Sequence, residues 1–207
     1  MSVDPNAHSG GYPPPPPPPP SQPPSEPELA GPGATRFLVP ALVGAAVAVV
    51  LGVYGKVHTP AATAFNLAGF SSPSAVKAWL ATVALALALV QLVSALTMYG
   101  QMPGLRARPW TPVLHRWSGR VAFLVTVPVA VHCLYALGFQ TDTPRALWHS
   151  LLGCFFFGAF SAKMLLLRME RLPGWLLPVV GGVVFVVLTM LWLTSALWFF
   201  RTFGVTA

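Results

Sequence analysis

Charged side chains are scarce in this sequence, and acidic ones are the scarcest. Asp, Glu, Lys and Arg together make up 8% of the 207 residues, and only five residues are Asp or Glu. A soluble domain carries about 25% charged residues, so this composition excludes the soluble globular class. The hydrophobic residues, 55% of the chain, gather in runs long enough to cross a bilayer. The sequence therefore predicts an all-α, polytopic membrane protein.

The residue sets of the common catalytic sites are also missing. The two cysteines, Cys133 and Cys154, each lie inside an apolar run, where a packing role is expected and a disulfide is the alternative. No Cys-x-x-Cys pair, Ser-His-Asp set, paired carboxylates or phosphate-binding glycine loop is present. The net charge of +7 reflects basic residues at membrane boundaries. It therefore does not indicate nucleic-acid binding.

Proline is concentrated near the N-terminus, where residues 1–33 hold 13 of the 23 prolines, including the run Pro13–Pro20. Such a run favours solvated polyproline II and supplies almost nothing that could build a core. We therefore predict a disordered proline-rich tail over residues 1–33 that serves as a spacer. The alternative is a ligand for a proline-recognising partner. Residues 34–207 are predicted to form a transmembrane domain of five helices, with spans at 37–54, 75–99, 114–139, 147–167 and 175–200.

The placement of Lys and Arg predicts the orientation of these spans. With the N-terminus in the cytoplasm, eight basic residues lie on the inner side and four on the outer side, which is the bias that orients membrane proteins. The inner set is Arg36, Arg106, Arg108, Arg116, Arg120, Lys163, Arg168 and Arg171, and the outer set is Lys56, Lys77, Arg145 and Arg201. We predict a multi-pass protein of the plasma membrane with its N-terminus in the cytoplasm and its C-terminus outside.

Two histidines in adjacent spans are predicted to lie at one depth. His132 is six residues before Gly138, where the third span is expected to stop, and His149 is five residues after Pro144, where the fourth begins. Both then lie roughly 7–9 Å inside the same end of a helical hairpin. Facing imidazoles on neighbouring helices are what a bis-histidine haem requires. Gly153, one turn from His149, would leave room for a flat macrocycle. The alternative is a hydrogen-bonded polar pair without a cofactor.

The opposite depth of the hairpin lacks a second pair of imidazoles. Positions 14 residues from His132 and His149 fall on nearly the same helix faces, and they are occupied by Ser118 and Lys163. One haem near the outer face is therefore favoured over two. Lys163 is expected to reach the inner face through its alkyl stem, and a buried Lys163 could instead neutralise a propionate or replace an axial ligand.

Two further histidines have plain structural interpretations. His115 is expected at the inner boundary, where it could instead contact a lipid phosphate, a haem propionate or a quinone headgroup. His58 is expected in an outer loop, with participation in a metal site as the alternative. A polar patch on the second span is predicted to form hydrogen bonds between helices, and it comprises Gln91, Ser94 and Thr97.

The pattern LHRxxGRxAF at 114–123, with a second histidine late in the same span, resembles the transmembrane core of the cytochrome b and ferric-reductase-like families over about 55 residues. The whole layout also resembles an uncharacterised five-span family of high-GC bacteria, which supplies no function. The first resemblance implies haem b bound by His132 and His149, and electron transfer within the membrane. Because the inner ligand pair and an attached flavin domain are missing, electron transfer would also need redox partner proteins. A quinone is a further candidate partner. The alternative is a cofactor-free subunit that assembles or stabilises a larger membrane complex.

The predicted orientation can be tested by labelling intact cells. In a Cys133→Ala/Cys154→Ala background, Thr141→Cys should react with an impermeant thiol reagent, because residue 141 is predicted to face outward. Gly104→Cys should stay unlabelled until the cells are opened. The reverse pattern would show that the orientation is inverted.

Overall fold

The computed structural model describes residues 34–61, 66 and 69–206 of the chain. The predicted proline-rich tail, residues 1–33, lies outside the described residues. Within the described ranges all regular structure is helical, and five helices are long and apolar enough to cross a membrane. They are α1 Leu38–Val57, α2 Pro73–Met98, α3 Thr111–Leu137, α4 Pro144–Leu166 and α5 Leu176–Phe203. The predicted all-α fold with five spans is confirmed, with helix ends that differ from the predicted ones by a few residues.

Local sequence accounts for several of the helix ends. Ser72 and Thr143 cap α2 and α4, since each side-chain oxygen accepts a hydrogen bond from the backbone N–H three residues on, at 3.1 and 3.2 Å respectively. Pro73 and Pro144 follow as first helical residues, a position that needs no N–H donor. Gly138 ends α3 with a φ of 71°, a backbone conformation that favours glycine.

Two helices change from α to π geometry near the same end of the bundle. The π segment of α3 is His132–Leu137, and that of α5 is Leu193–Leu197. Pro128 lies one turn before the first and removes a helical donor, which favours a change of geometry there. We call the end of the bundle that contains these segments and the α3–α4 loop the Asp142 end, and the other the Arg36 end. Single π turns inside helices often accompany functional sites.

Close packing joins α1 to α4 at a pair of glycines. A Cβ placed on Gly44 would lie 2.7 Å from the Gly158 carbonyl oxygen, and a Cβ on Gly158 would overlap the Gly44 carbonyl oxygen. Ala48 and Ala162 extend the contact along the two helices. Small residues at a helix interface let backbones approach closely, and the resulting van der Waals packing favours helix association in lipid.

A second close contact joins α2 to α3. Gly119 leaves the space that the Gln91 side chain occupies, and Gln91 Nε2 donates to the His115 carbonyl oxygen. The α5 helix packs against both α2 and α4. Although α3 and α4 are consecutive in the chain, α3 thus packs mainly against α2, and α4 packs mainly against α1.

The predicted α3–α4 hairpin is present as two spans joined by a short loop, but each of its helices packs mainly against another helix. Their backbones make few close approaches, and aromatic side chains bridge the gap between them. The Phe123 ring stacks on Phe160 with centroids 3.9 Å apart and meets the edge of Phe157 at 5.7 Å. The physical reason is that glycine contacts draw α4 to α1 and α3 to α2. The space left between α3 and α4 contains the candidate site.

A glycine substitution tests the α1–α4 contact. Gly158→Ala should destabilise the bundle by about 1–3 kcal/mol, because its methyl group would overlap the Gly44 carbonyl and force the helices apart. The matched control is Gly181→Ala on α5, where a Cβ would meet no atom within 4 Å. Alanine favours helix over glycine by roughly 1 kcal/mol, so the control should be as stable as the parent or more so. Thermal unfolding in detergent measures both, and equal stabilisation by both variants would contradict the contact.

Candidate functional site

A cavity of about 400 Å³ lies between α3 and α4, with α2 and α5 completing its walls. This volume is within the usual range for small-molecule and cofactor sites, about 300–1,000 Å³. Its deeper part is apolar and aromatic, with Phe156, Phe157 and Leu188 among the lining residues. Apart from Thr126, which lies deeper, the polar lining residues gather at the Asp142 end, and they are Ser74, Lys77, Gln140, Arg145, His149, Ser150 and Ser195. The cavity is therefore amphipathic along its length.

The charged residues of this wall are all cations. Lys77, in the first two turns of α2, and Arg145, at the start of α4, both line the cavity. Among the lining residues that the structure describes, none is Asp or Glu. Both cations lie near helix starts, at the membrane boundary to which the sequence assigns them, and both line the cavity. Two cations without a carboxylate in the same wall indicate a site suited to an anionic group.

His149 is held in one orientation by Thr194 on α5. The His149 Nδ1 atom lies 2.9 Å from the Thr194 hydroxyl oxygen, which is also within hydrogen-bond distance of the Met190 and Leu191 carbonyl oxygens at 2.8 and 3.2 Å. When the hydroxyl hydrogen is directed to one of these carbonyls, Nδ1 donates to the hydroxyl and Nε2 keeps its lone pair. Nε2 makes no hydrogen bond within the described part of the chain. Fixing one imidazole nitrogen in this way is how proteins orient histidines whose other nitrogen binds a metal.

Arg145 is anchored to the same turn of α5. Its guanidinium donates to the Thr194 backbone carbonyl at 2.7 Å and lies 4.0 Å from the centre of the Trp198 ring. The carbonyl is accessible because, in the π segment, the Trp198 N–H bonds to the carbonyl of Ser195. Thr194 thus positions both a cation and an imidazole, through its carbonyl and its hydroxyl respectively.

The structure places His149 and Gly153 in the cavity wall but leaves His132 out of it. His132 begins the π segment of α3 and is half-buried, and the adjacent Cys133 lines the cavity instead. The α3 residues that line the cavity at this level are Val129, Ala130, Cys133 and Leu134, so His132 lies on another side of the helix. The two histidines predicted to face one another are therefore not brought into one cavity. A Cβ on Gly153 would meet only the Leu191 side chain, at 4.0 Å, so this part of the wall is open.

His115 and Lys163 lie towards the Arg36 end, away from the cavity. His115 Nδ1 lies 2.9 Å from the Ser94 hydroxyl and 3.2 Å from the Gln91 carbonyl, so the ring faces α2. Lys163 on α4 is half-buried and is not a lining residue. In the predicted polar patch, Gln91 and Ser94 do bond to α3, whereas the Thr97 hydroxyl bonds to the carbonyl one turn earlier in its own helix.

His58 ties the end of α1 to the π segment of α3. Its Nε2 atom donates to the Tyr135 carbonyl at 3.2 Å, and its ring is stacked between Tyr54 and Tyr135 at centroid distances of 5.0 and 5.1 Å. The described residues contain no cluster of three or more His, Cys, Asp or Glu side chains able to hold a metal ion. His58 thus has a structural role in this arrangement.

Sequence reasoning did not single out Lys77, Arg145 or Thr194 as site residues. Arg145 could have been found, because Arg145, His149 and Gly153 recur every four residues and share one face of α4. Lys77 could also have been found as a charge near the start of an apolar span. Thr194 gave no such signal, because hydroxyl residues are common in spans and its partner is 45 residues away.

Comparison with known proteins places this bundle in a family. Residues 37–207 match the family described as "Family of unknown function (DUF6529)". The chain belongs to that family. No curated protein and no solved structure matches it. The DUF6529 match includes nearly all of the described residues, so the cavity and all five helices lie within the family's region. This DUF6529 protein is a multi-pass membrane protein whose spanning helices contact the lipid bilayer.

The tautomer of His149 provides a test of the α4–α5 contact. Thr194→Val should release Nδ1, so that ¹⁵N NMR of the neutral ring shows a mixture of tautomers in place of a single Nδ1–H form. Hydrogen bonds between helices in membranes contribute about 0.6 kcal/mol on average, so the bundle should stay folded. Thr189→Val is the matched control, since the Thr189 hydroxyl bonds only to the Phe185 carbonyl of its own helix. A His149 spectrum unchanged by Thr194→Val would show that the contact is absent.

Proposed function

We propose that the cavity binds haem b, which His149 would ligate and whose propionates Lys77 and Arg145 would hold. The observation that carries this proposal is the combination, in one wall, of an oriented imidazole, two cations and a deep aromatic region. Haem b is a flat apolar ring with a metal that accepts imidazole nitrogen and with two carboxylates on one edge. The apolar ring suits the aromatic region of the cavity, the metal suits His149, and the two carboxylates suit Lys77 and Arg145.

Other membrane amphiphiles match fewer of these features. An anionic phospholipid would use the cations and the apolar depth, but it has no need of a free imidazole nitrogen fixed by a hydrogen bond. A quinone could use His149, but it carries no charge that would favour Lys77 and Arg145 together. The absence of a carboxylate among the described lining residues argues for a ligand that brings its own negative charge.

The proposal differs from the bis-histidine site expected from the sequence. A second imidazole ligand would have to come from the cavity wall, and His149 is the only histidine among the described lining residues. We therefore propose one histidine ligand. Bound haem would supply reversible one-electron transfer, and the chain's own residues would orient it: Thr194 by fixing His149, and Arg145 and Lys77 by holding the propionates. The proposed function is electron transfer within the membrane between a donor and a redox partner.

Spectroscopy of the purified protein, expressed with ample haem, tests this proposal. The parent should show a Soret band, and its reduced form should bind carbon monoxide, because His149 is the only histidine among the described lining residues. His149→Ala should lose the haem. His132→Ala and His115→Ala should keep it with an unchanged spectrum, and His58→Ala serves as a control outside the cavity.

The role of the cations is tested in the same preparations. Lys77→Met should weaken haem binding by about tenfold, equivalent to roughly 1.4 kcal/mol. Lys56→Met is the matched control, because Lys56 is exposed and does not line the cavity. A parent protein without a Soret band would contradict the proposal and leave the cofactor-free assembly subunit. Loss of low-spin haem in His132→Ala would instead support the bis-histidine site.

A further inference from the structure

A second cavity, a groove of about 330 Å³, opens on the outside of the bundle between α1 and α3. Its lining is almost wholly apolar, and Tyr54 and Tyr135 flank it at the Asp142 end. Val131, also in its wall, is 51% exposed on the surface that faces lipid. Leu51 lies six residues before the end of α1, so the groove reaches about 9 Å inside the span. At that depth its surroundings are hydrocarbon chains.

One layer of side chains separates this groove from the cavity between α3 and α4. Leu51, Ala130, Leu134 and Phe157 line both. Along this side of the bundle, α1 approaches α3 closely only at the π segment. Leucine and phenylalanine side chains change rotamer far more readily than helices move apart, so this partition can open without separating the helices.

The neighbouring sides of the cavity are more firmly closed. At the Asp142 end, the α3–α4 loop is tied to α1 by a hydrogen bond from Phe139 N to the Gly55 carbonyl, at 2.7 Å. The same loop is tied to α4, where Gln140 N donates to the Ser150 hydroxyl at 3.1 Å. Glycine contacts close the α1–α4 side. These contacts hold the sides of the cavity next to the groove in place.

We infer that the groove between α1 and α3 is a lateral entrance through which a ligand dissolved in the bilayer reaches the cavity. The route passes Val131 and then the partition formed by Leu51, Leu134 and Phe157. The entrance itself is inferred from the two cavities alone. The identity of the ligand, haem b, rests on the function proposed above.

A bulky residue in the groove tests the entrance without touching the cavity. Val131→Trp would fill the groove, because Val131 lines the groove and not the cavity. Leu124→Trp is the matched control: it lies seven residues earlier on the same face of α3, is 64% exposed and lines neither space. Both proteins are made in a Cys154→Ala background, so that Cys133 in the cavity wall is the single thiol.

The first measurement needs no haem. N-dodecylmaleimide dissolved in liposomes should label Cys133, and Val131→Trp should slow this labelling by about tenfold, the effect of roughly 1.4 kcal/mol on a barrier. Leu124→Trp should label at the parent rate. Equal rates in all three proteins would overturn the lateral entrance, whatever the cavity binds.

The second measurement follows the rise of the Soret band when apoprotein in liposomes meets haem-loaded liposomes. Val131→Trp should slow haem uptake to a similar degree and reach the same final absorbance, while Leu124→Trp should match the parent. If no protein takes up haem but Val131→Trp still slows labelling, the entrance stands and the haem proposal fails. If haem is taken up equally fast by all three, the entrance is overturned and the haem proposal stands.

Discussion

The contact between the backbones of Gly44 and Gly158 is the constraint on which the rest of this bundle depends. Lipid provides no hydrophobic drive for apolar helices to associate, so helix pairing follows close approach and interhelical hydrogen bonds. A glycine on each helix draws α4 onto α1, and Gly119 with Gln91 draws α3 onto α2. The consecutive helices α3 and α4 consequently stand apart. Phe123 and Phe160 fill the middle of the gap, and towards the Asp142 end it remains open as a cavity.

The two π segments shape the cavity through the carbonyl groups they present. Backbone polar groups inside a membrane need internal partners. In α3, the Tyr135 carbonyl accepts hydrogen bonds from His58 Nε2 and from the N–H of Ala61, which fastens the end of α1. In α5, the Thr194 carbonyl accepts from Arg145, which fastens α4. Departures from α geometry thus supply the tertiary hydrogen bonds that orient the polar end of the cavity.

The electrostatics of the cavity are the basis for proposing a ligand-binding role in place of a purely structural one. A subunit that only packs against others has no need of a cation pair and a hydrogen-bonded imidazole in one cavity wall. Here Lys77 and Arg145 share a wall with His149. Arg145 is partly stabilised by Trp198, at 4.0 Å, and by the Thr194 carbonyl. In the proposed function, an anionic ligand with a metal would complete these interactions, and the groove beside Leu134 is its proposed path from the lipid.

The sequence by itself determined the five membrane-spanning helices, because bilayer thickness sets the length of an apolar run and Ser72 and Thr143 mark helix starts locally. It also predicted that His149 lies near one end of its span. Only the tertiary structure decided which face each helix turns inward. That rotation brought Cys133 and not His132 to the cavity, turned His115 to Ser94, and joined Arg145 and His149 through Thr194. Helix rotation is set by packing between spans distant in sequence, such as Gly44 against Gly158, and hydropathy along one span does not encode it.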